Sequence, residues 1–155
     1  METATLGTLL RHLIELLDGA VEQEYRDAGL GYRPRYTPIV RVLMRHGPSS
    51  IREIAERAGI THSAASQTVA HMARNGLLEV STGEDARERL VALSPLAREI
   101  VPSVERRWRA TEAAARGLEA ELGVPLAAVI RNAIQALDRK PFGERIRDNL
   151  EENRS

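Results

Sequence analysis

Between Ser49 and Leu93 the chain sets out caps, short amphipathic runs and glycines in an order that few folds satisfy. Ser50-Ile51-Arg52-Glu53 is a Ser-x-x-Glu box. Its serine hydroxyl caps a first helical turn, and the glutamate reaches back to the cap amide. Ile51, Ile54, Ala55 and Ala58 recur at helical spacing, which gives a short helix one apolar face. Gly59 can take the left-handed conformation that ends a helix. Thr61 is a second N-cap, His62 to Asn75 a second helix, and Gly76 its stop. Leu77–Val80 and Leu90–Leu93 follow, on either side of the polar run Ser81-Thr82-Gly83-Glu84-Asp85-Ala86-Arg87-Glu88-Arg89: strand, tip, strand. Two short helices joined at a glycine turn and followed by such a hairpin are the sequence form of a winged helix-turn-helix.

In the second helix of this unit, Ala65, Thr68, Val69 and Met72 share a face expected to pack on Ile54, Ala58 and Leu77. The opposite face carries His62, Ser63, Ala64, Ser66, Gln67 and His71. Short side chains in the first turns let a helix approach base edges. Gln67 can bond adenine at two atoms, Ser63 and Ser66 can bond bases or phosphates, and Ala64 can touch a thymine methyl. Serine, alanine and glutamine are equally common on any solvated helix, so the assignment rests on their position after the glycine turn and before the wing. At the wing tip, Arg87 suits a minor groove of negative potential, with Asp85 bracing it. Arg52, Arg57, Arg74 and Arg89 are candidate phosphate contacts. Glu84 and Glu88 reduce the charge of the wing, which is therefore no simple basic patch.

From Thr37-Pro38 to Arg98 the chain resembles the MarR family of bacterial transcriptional regulators. The likeness lies in the order of elements, in Asn75-Gly76-Leu77-Leu78 closing the second helix, in Asp85-Ala86-Arg87 matching an Asp-x-Arg pattern of the wing, and in Leu93-Ser94-Pro95 opening a long helix. It covers about 60 residues closely. Relatives often carry arginine after the position of Ser66, and this chain has Gln67, so no operator preference is carried over.

Net charge is zero, unevenly spread. Residues 1–32 hold two arginines and six acids, 33–93 nine and six, and 94–155 eleven basic residues and ten acids, so a modest positive excess sits on the helix-turn-helix. The 155 residues suit one domain or one subunit of an oligomer. Aromatic residues make up only 3%, from which an aliphatic core is expected. There is no cysteine, which excludes disulfides, thiolate zinc sites and thiol redox sensing. His62 and His71, nine positions apart, fall on opposite sides of a helix, and His12 and His46 lack partners at ligand spacing, so no metal is expected. Phosphate-loop, nucleophile-elbow and His-Glu-x-x-His patterns are missing, so neither enzyme nor cofactor is expected. Without a leader pattern or an apolar run of membrane length, the expected location is the cytoplasm.

Both ends carry apolar helical stripes. Leu6, Leu10, Leu13, Leu17 and Ala20, widened by Leu9, Ile14, Leu16 and Val21, line a helix over 5–27. Leu126, Val129, Ile130, Ala133, Ile134 and Leu137 line another, continued by Phe142, Ile146 and Leu150. Between them, Thr37-Pro38 and Ser94-Pro95 are cap-plus-proline starts, and Pro102 is expected to kink the long helix. Periodicity leaves open whether the terminal stripes pack within one chain or across a two-fold axis; the resemblance implies an intertwined homodimer. The expected fold is mostly α with a small β-wing: a dimerisation segment at 1–32, a winged helix-turn-helix at 36–98, and a long helix with further dimerisation helices at 99–155. The expected function is a dimeric repressor on a palindrome in double-stranded DNA, with no membrane partner. Tyr25, Tyr32, Tyr36, Trp108 and Met44 are candidates either for core packing or for the pocket of a small-molecule effector. The alternative function is a winged-helix interaction module that dimerises without reading DNA.

Overall fold

A computed structural model describes residues 3–83 and 89–152 of the chain. Thr5 caps α1 (Leu6–Asp27), its hydroxyl accepting from the Thr8 amide at 3.2 Å. A 3-10 turn at Pro34–Tyr36 leads into α2 (Thr37–His46). Thr37 is not the cap that the sequence predicted. Tyr36 holds that position, and the Thr37 hydroxyl accepts instead from Trp108 Nε1 at 3.1 Å and from the Tyr32 hydroxyl at 3.3 Å. Pro38 remains in the first turn, where a missing N–H is harmless.

The Ser-x-x-Glu box forms in full. Ser50 Oγ accepts from the Glu53 amide at 3.3 Å, and Glu53 Oε2 accepts from the Ser50 amide at 2.9 Å, starting α3 (Ile51–Ala58). Gly59, at φ 67° and ψ 33°, closes α3 in the left-handed region, where a side chain would be strained. Thr61 Oγ1 then accepts from the Ala64 amide at 3.1 Å and starts α4 (His62–Arg74). Strands β2 (Leu78–Thr82) and β3 (Arg89–Leu93) pair antiparallel with Leu78 opposite Leu93 and Val80 opposite Val91. A strand that the sequence did not reveal, β1 (Ser49–Ser50), pairs with Val91 and Leu90 to give the order β1-β3-β2. Two residues are too few to show alternation.

Ser94 joins the sheet to α5 (Pro95–Leu122): its hydroxyl donates to the Gly76 carbonyl at 2.6 Å and accepts from the Ala97 amide at 3.1 Å. The helix is not broken at Pro102. The chain divides into two compact units, residues 1–109 and 110–155, and the division falls inside α5.

In the first unit the core is not purely aliphatic, as composition suggested. Four of the five aromatic residues, Tyr25, Tyr32, Tyr36 and Trp108, are gathered in it with Ile39, Ile54, Met72, Val91 and Val104. Few aromatics suffice when nearly all stack together: Tyr25 and Tyr32 meet edge-on at 4.8 Å between ring centres, Tyr32 and Tyr36 at 5.5 Å. In the second unit, α6 (Leu126–Arg139) and α7 (Phe142–Glu152) follow the end of α5. Glu119 Oε1 accepts from the Ala127 amide at 2.8 Å, Arg145 donates to the Ala136 carbonyl at 3.0 Å, and Lys140 pairs with Asp148. No residue of α6 is buried within the chain. No described helix is long and apolar enough to cross a membrane.

Candidate nucleic-acid interface

Burial orients α4. Ala65, Val69 and Met72 are buried, while His62, Ser63, Ala64, Gln67 and Arg74 are exposed and Ser66 is half-covered. The inward face follows from spacings of three and four, which return a side chain to the same side of a helix. Its outward counterpart is Ser63, Gln67, Ala70 and Arg74. Ala70 escaped the sequence reading, and its single methyl leaves room beside Gln67. The face is narrow, polar and short in side chain, a surface that can lie close against the floor of a groove.

His71 lies at the edge of this face and is half-buried. Its Nδ1 is 2.5 Å from the Tyr36 hydroxyl and 3.1 Å from Asn75 Nδ2, and Asn75 Nδ2 also donates to Tyr36 Oη at 3.2 Å. The sequence placed His71 with the open face; the structure turns one ring nitrogen into the scaffold. Desolvation, together with the guanidinium groups of Arg35, Arg33 and Arg74, lowers the imidazole pKa from its ordinary 6.5. The His71–Asn75 half of this cluster was accessible from i,i+4 spacing. Tyr36, 35 residues upstream, gave no signal.

The arginines divide. Arg52 is held by Glu56 at 3.1 Å, and Arg57 by Glu53 at 3.4 Å and by Ser49 Oγ at 3.3 Å. Arg74 and Arg89 are exposed, without a side-chain partner among the described residues. Arg89 stands opposite Thr82 at the last described pair of the wing. Asp85 and Arg87 lie outside the described residues.

The aromatic cluster is filled core, not a pocket. Trp108 Nε1 is bonded to Thr37, its ring lies 6.5 Å from that of Tyr32, and Arg41 covers it at 4.8 Å. Burial pushes the Tyr25 and Tyr32 phenols above their usual range, Tyr32 more strongly. Met44 is apart from them, exposed, in a depression with Pro48, Ala92 and Arg98. Among the described residues, no three His, Cys, Asp or Glu side chains converge as metal ligands would.

Residues 30–88 match the model of the MarR family. The fold resembles that of the transcriptional regulator MOSR from M. tuberculosis, solved in complex with DNA, with a TM-score of 0.71 at 23% identity over 90% of this chain and 100% of that one. A MarR family transcriptional regulator from Silicibacter pomeroyi matches with a TM-score of 0.62 at 22% identity, covering 88% of this chain and 98% of the other. Bordetella bronchiseptica BpsR, whose DNA binding is regulated by 6-hydroxynicotinic acid, matches with a TM-score of 0.53 at 21% identity over 78% and 94%. No functionally curated protein matches the chain.

Proposed function

We propose, from the premise that residues 30–88 are a MarR-family segment, that this protein is a homodimeric transcriptional regulator that represses at a palindromic operator. The observation that carries the reading is the outward face of α4, where Ser63, Gln67, Ala70 and Arg74 are exposed in a row with Ala64 exposed beside it, while Ala65, Val69 and Met72 are buried on the other side. Gln67 is the base reader, Ser63 and Ser66 bond bases or phosphates, Ala64 meets a thymine methyl, His62 flanks the first turn, and Arg74 and Arg89 neutralise phosphates. Arg87, oriented by Asp85, enters the adjacent minor groove.

The dimer is inferred from what a single chain leaves bare. Leu6, Leu9, Leu10, Ile14, Leu16 and Leu17 of α1 are exposed, as are Val129, Ile130, Ile134 and Leu137 of α6 and Phe142, Ile146 and Leu150 of α7. Contiguous apolar faces of this extent mark contact surfaces. A second copy offers the same stripes in return, and a two-fold dimer pairs with a two-fold operator. A small-molecule effector would release the complex, as the ligand-regulated relative suggests.

The test is selection of bound fragments from a random duplex pool, followed by affinity measured against salt. A recovered palindrome, bound with log K falling steeply with log[salt], is the expected result. Recovery of no sequence above background, from protein shown to be a folded dimer, would instead establish a winged-helix interaction module.

A further inference from the structure

We infer that Tyr36 and Asn75 are positioning residues that hold His71 as a neutral imidazole protonated at Nε2, and that this N–H is offered to a backbone phosphate oxygen of bound duplex. The phosphate contact rests on the proposed function; the protonation state does not.

The argument begins with a phenol that water cannot reach. Tyr36 is 0% exposed, so its hydroxyl must find its partners inside the protein. Two are present, His71 Nδ1 and Asn75 Nδ2. The amide nitrogen of asparagine only donates, and here it reaches both Tyr36 Oη and His71 Nδ1. Tyr36 Oη therefore accepts from Asn75 and donates to Nδ1. An Nδ1 that receives hydrogen bonds carries no proton of its own, so the ring proton is at Nε2. Protonating Nδ1 would set an N–H against the Asn75 amide and force the buried hydroxyl to turn round.

Charge acts in the same direction. The charged groups that act on the ring are Arg33, ahead of the 3-10 turn, Arg35 within it, and Arg74 on α4 itself. All three disfavour an imidazolium. The acid near this set, Glu22, is 3.7 Å from Arg33, both groups partly open to water. Nε2 has no partner among the described residues, and His71 follows Gln67 by one helical turn on the face given to DNA. A neutral donor fixed in direction gives orientation without adding to the salt-dependent affinity. A histidine free at both nitrogens behaves otherwise: phosphate raises its pKa, so binding tightens as pH falls. With Nδ1 occupied in both free and bound protein, affinity is flat through that range.

The deciding measurement is a long-range 15N–1H correlation spectrum of the full-length protein, which distinguishes the two tautomers and the imidazolium. The Nε2–H form of His71 at pH 7, still the main form at pH 6.5, is expected. An Nδ1–H form or an imidazolium there would overturn the inference, and this experiment needs no variant to fold. Adding duplex recovered from the random pool should move the Nε2–H resonance; an unmoved resonance in a formed complex overturns the phosphate contact. In Tyr36→Phe/Asn75→Ala both donors to Nδ1 are gone and it becomes free to protonate; if that variant does not fold, Asn75→Ala alone lets the Tyr36 hydroxyl turn and accept from a protonated Nδ1. Affinity should then rise from pH 8 to pH 6 by up to about tenfold, the factor supplied by a one-unit difference in pKa between free and bound protein. The parent, compared with His71→Gln, should show no such rise; the same pH profile in parent and variants would sink the lock. Failure to recover any duplex counts against the proposed function, while the tautomer is still decided on free protein.

Discussion

Gln67 is the side chain in the row Ser63, Gln67, Ala70 and Arg74 that carries a donor and an acceptor on two separate atoms, set between Ser63 one turn before and Ala70 one turn after. That combination can engage two atoms of one adenine edge, and no neighbour on the face duplicates it. Gln67→Ala should therefore cost about 1–3 kcal/mol at one base-pair position in each half-site and flatten the preference there. Fragment selection with the variant reads this directly; an unchanged motif would remove Gln67 from the reading set. Arg52 and Arg57, each already engaged by a glutamate one turn away, should weaken binding far less on truncation than Arg74. Salt slopes of Arg52→Ala and Arg74→Ala test the contrast: loss of Arg74 should lower the slope by about one per subunit.

At the scale of elements, α3 depends on its cap. Eight residues cannot sustain an isolated helix, and the reciprocal Ser50–Glu53 bonds satisfy two amides at its start. Ser50→Ala should destabilise the protein by about 1 kcal/mol in denaturant unfolding. The same cap predicts a response to acid. The Ser50 amide and hydroxyl hold the Glu53 carboxyl below its usual 4.5, so its stabilisation is complete above that value and is lost as pH falls through the lowered one. Glu53→Gln should flatten this part of the acid limb; an unaltered limb would show that the carboxylate does not contribute. These caps were legible in the sequence because a cap is a local rule: Ser50, Thr61 and Ser94 each act within three residues of themselves. Helix positions and the inner face of α4 were legible for the same reason. Thr37 was misread because its hydroxyl is taken by Trp108, 71 residues away, and β1 because its pairing with β3 is set by tertiary contact. The Tyr36–His71 bond was hidden likewise, and so was the gathering of the aromatics, which composition alone had argued against.

For the whole molecule, two copies joined rigidly make the second DNA contact intramolecular, and affinity can rise by roughly 10²–10⁴ without any new contact to DNA. Ile134 is 55% exposed in the single chain, whereas Leu13 is half-covered. A charge at Ile134 should leave the subunit folded and disrupt association, while Leu13→Glu disturbs the subunit as well. Ile134→Glu is therefore expected to be a folded monomer that keeps only non-specific affinity, about 10⁻⁴–10⁻⁶ M at physiological salt. Light scattering together with operator binding checks it. A folded monomer with parental affinity for the palindrome would refute the dimeric architecture.

Trp108, the one tryptophan of the chain, donates its indole N–H to Thr37 and lies beneath Arg41, inside the unit that ends at Arg109. The three tyrosines belong to that unit too, so residues 110–155, whose one aromatic is Phe142, are silent under tryptophan excitation while α6 and α7 contribute strongly to helical circular dichroism. The chain thus carries a label-free optical separation of its two units. In dilute protein, ellipticity should fall on heating before the emission maximum of Trp108 shifts to the red, because no residue of α6 is fully buried within its own chain. Raising the concentration should bring the two curves together as a second copy covers the apolar stripes. Curves that coincide at every concentration would mean that the C-terminal helices draw their stability from within the subunit.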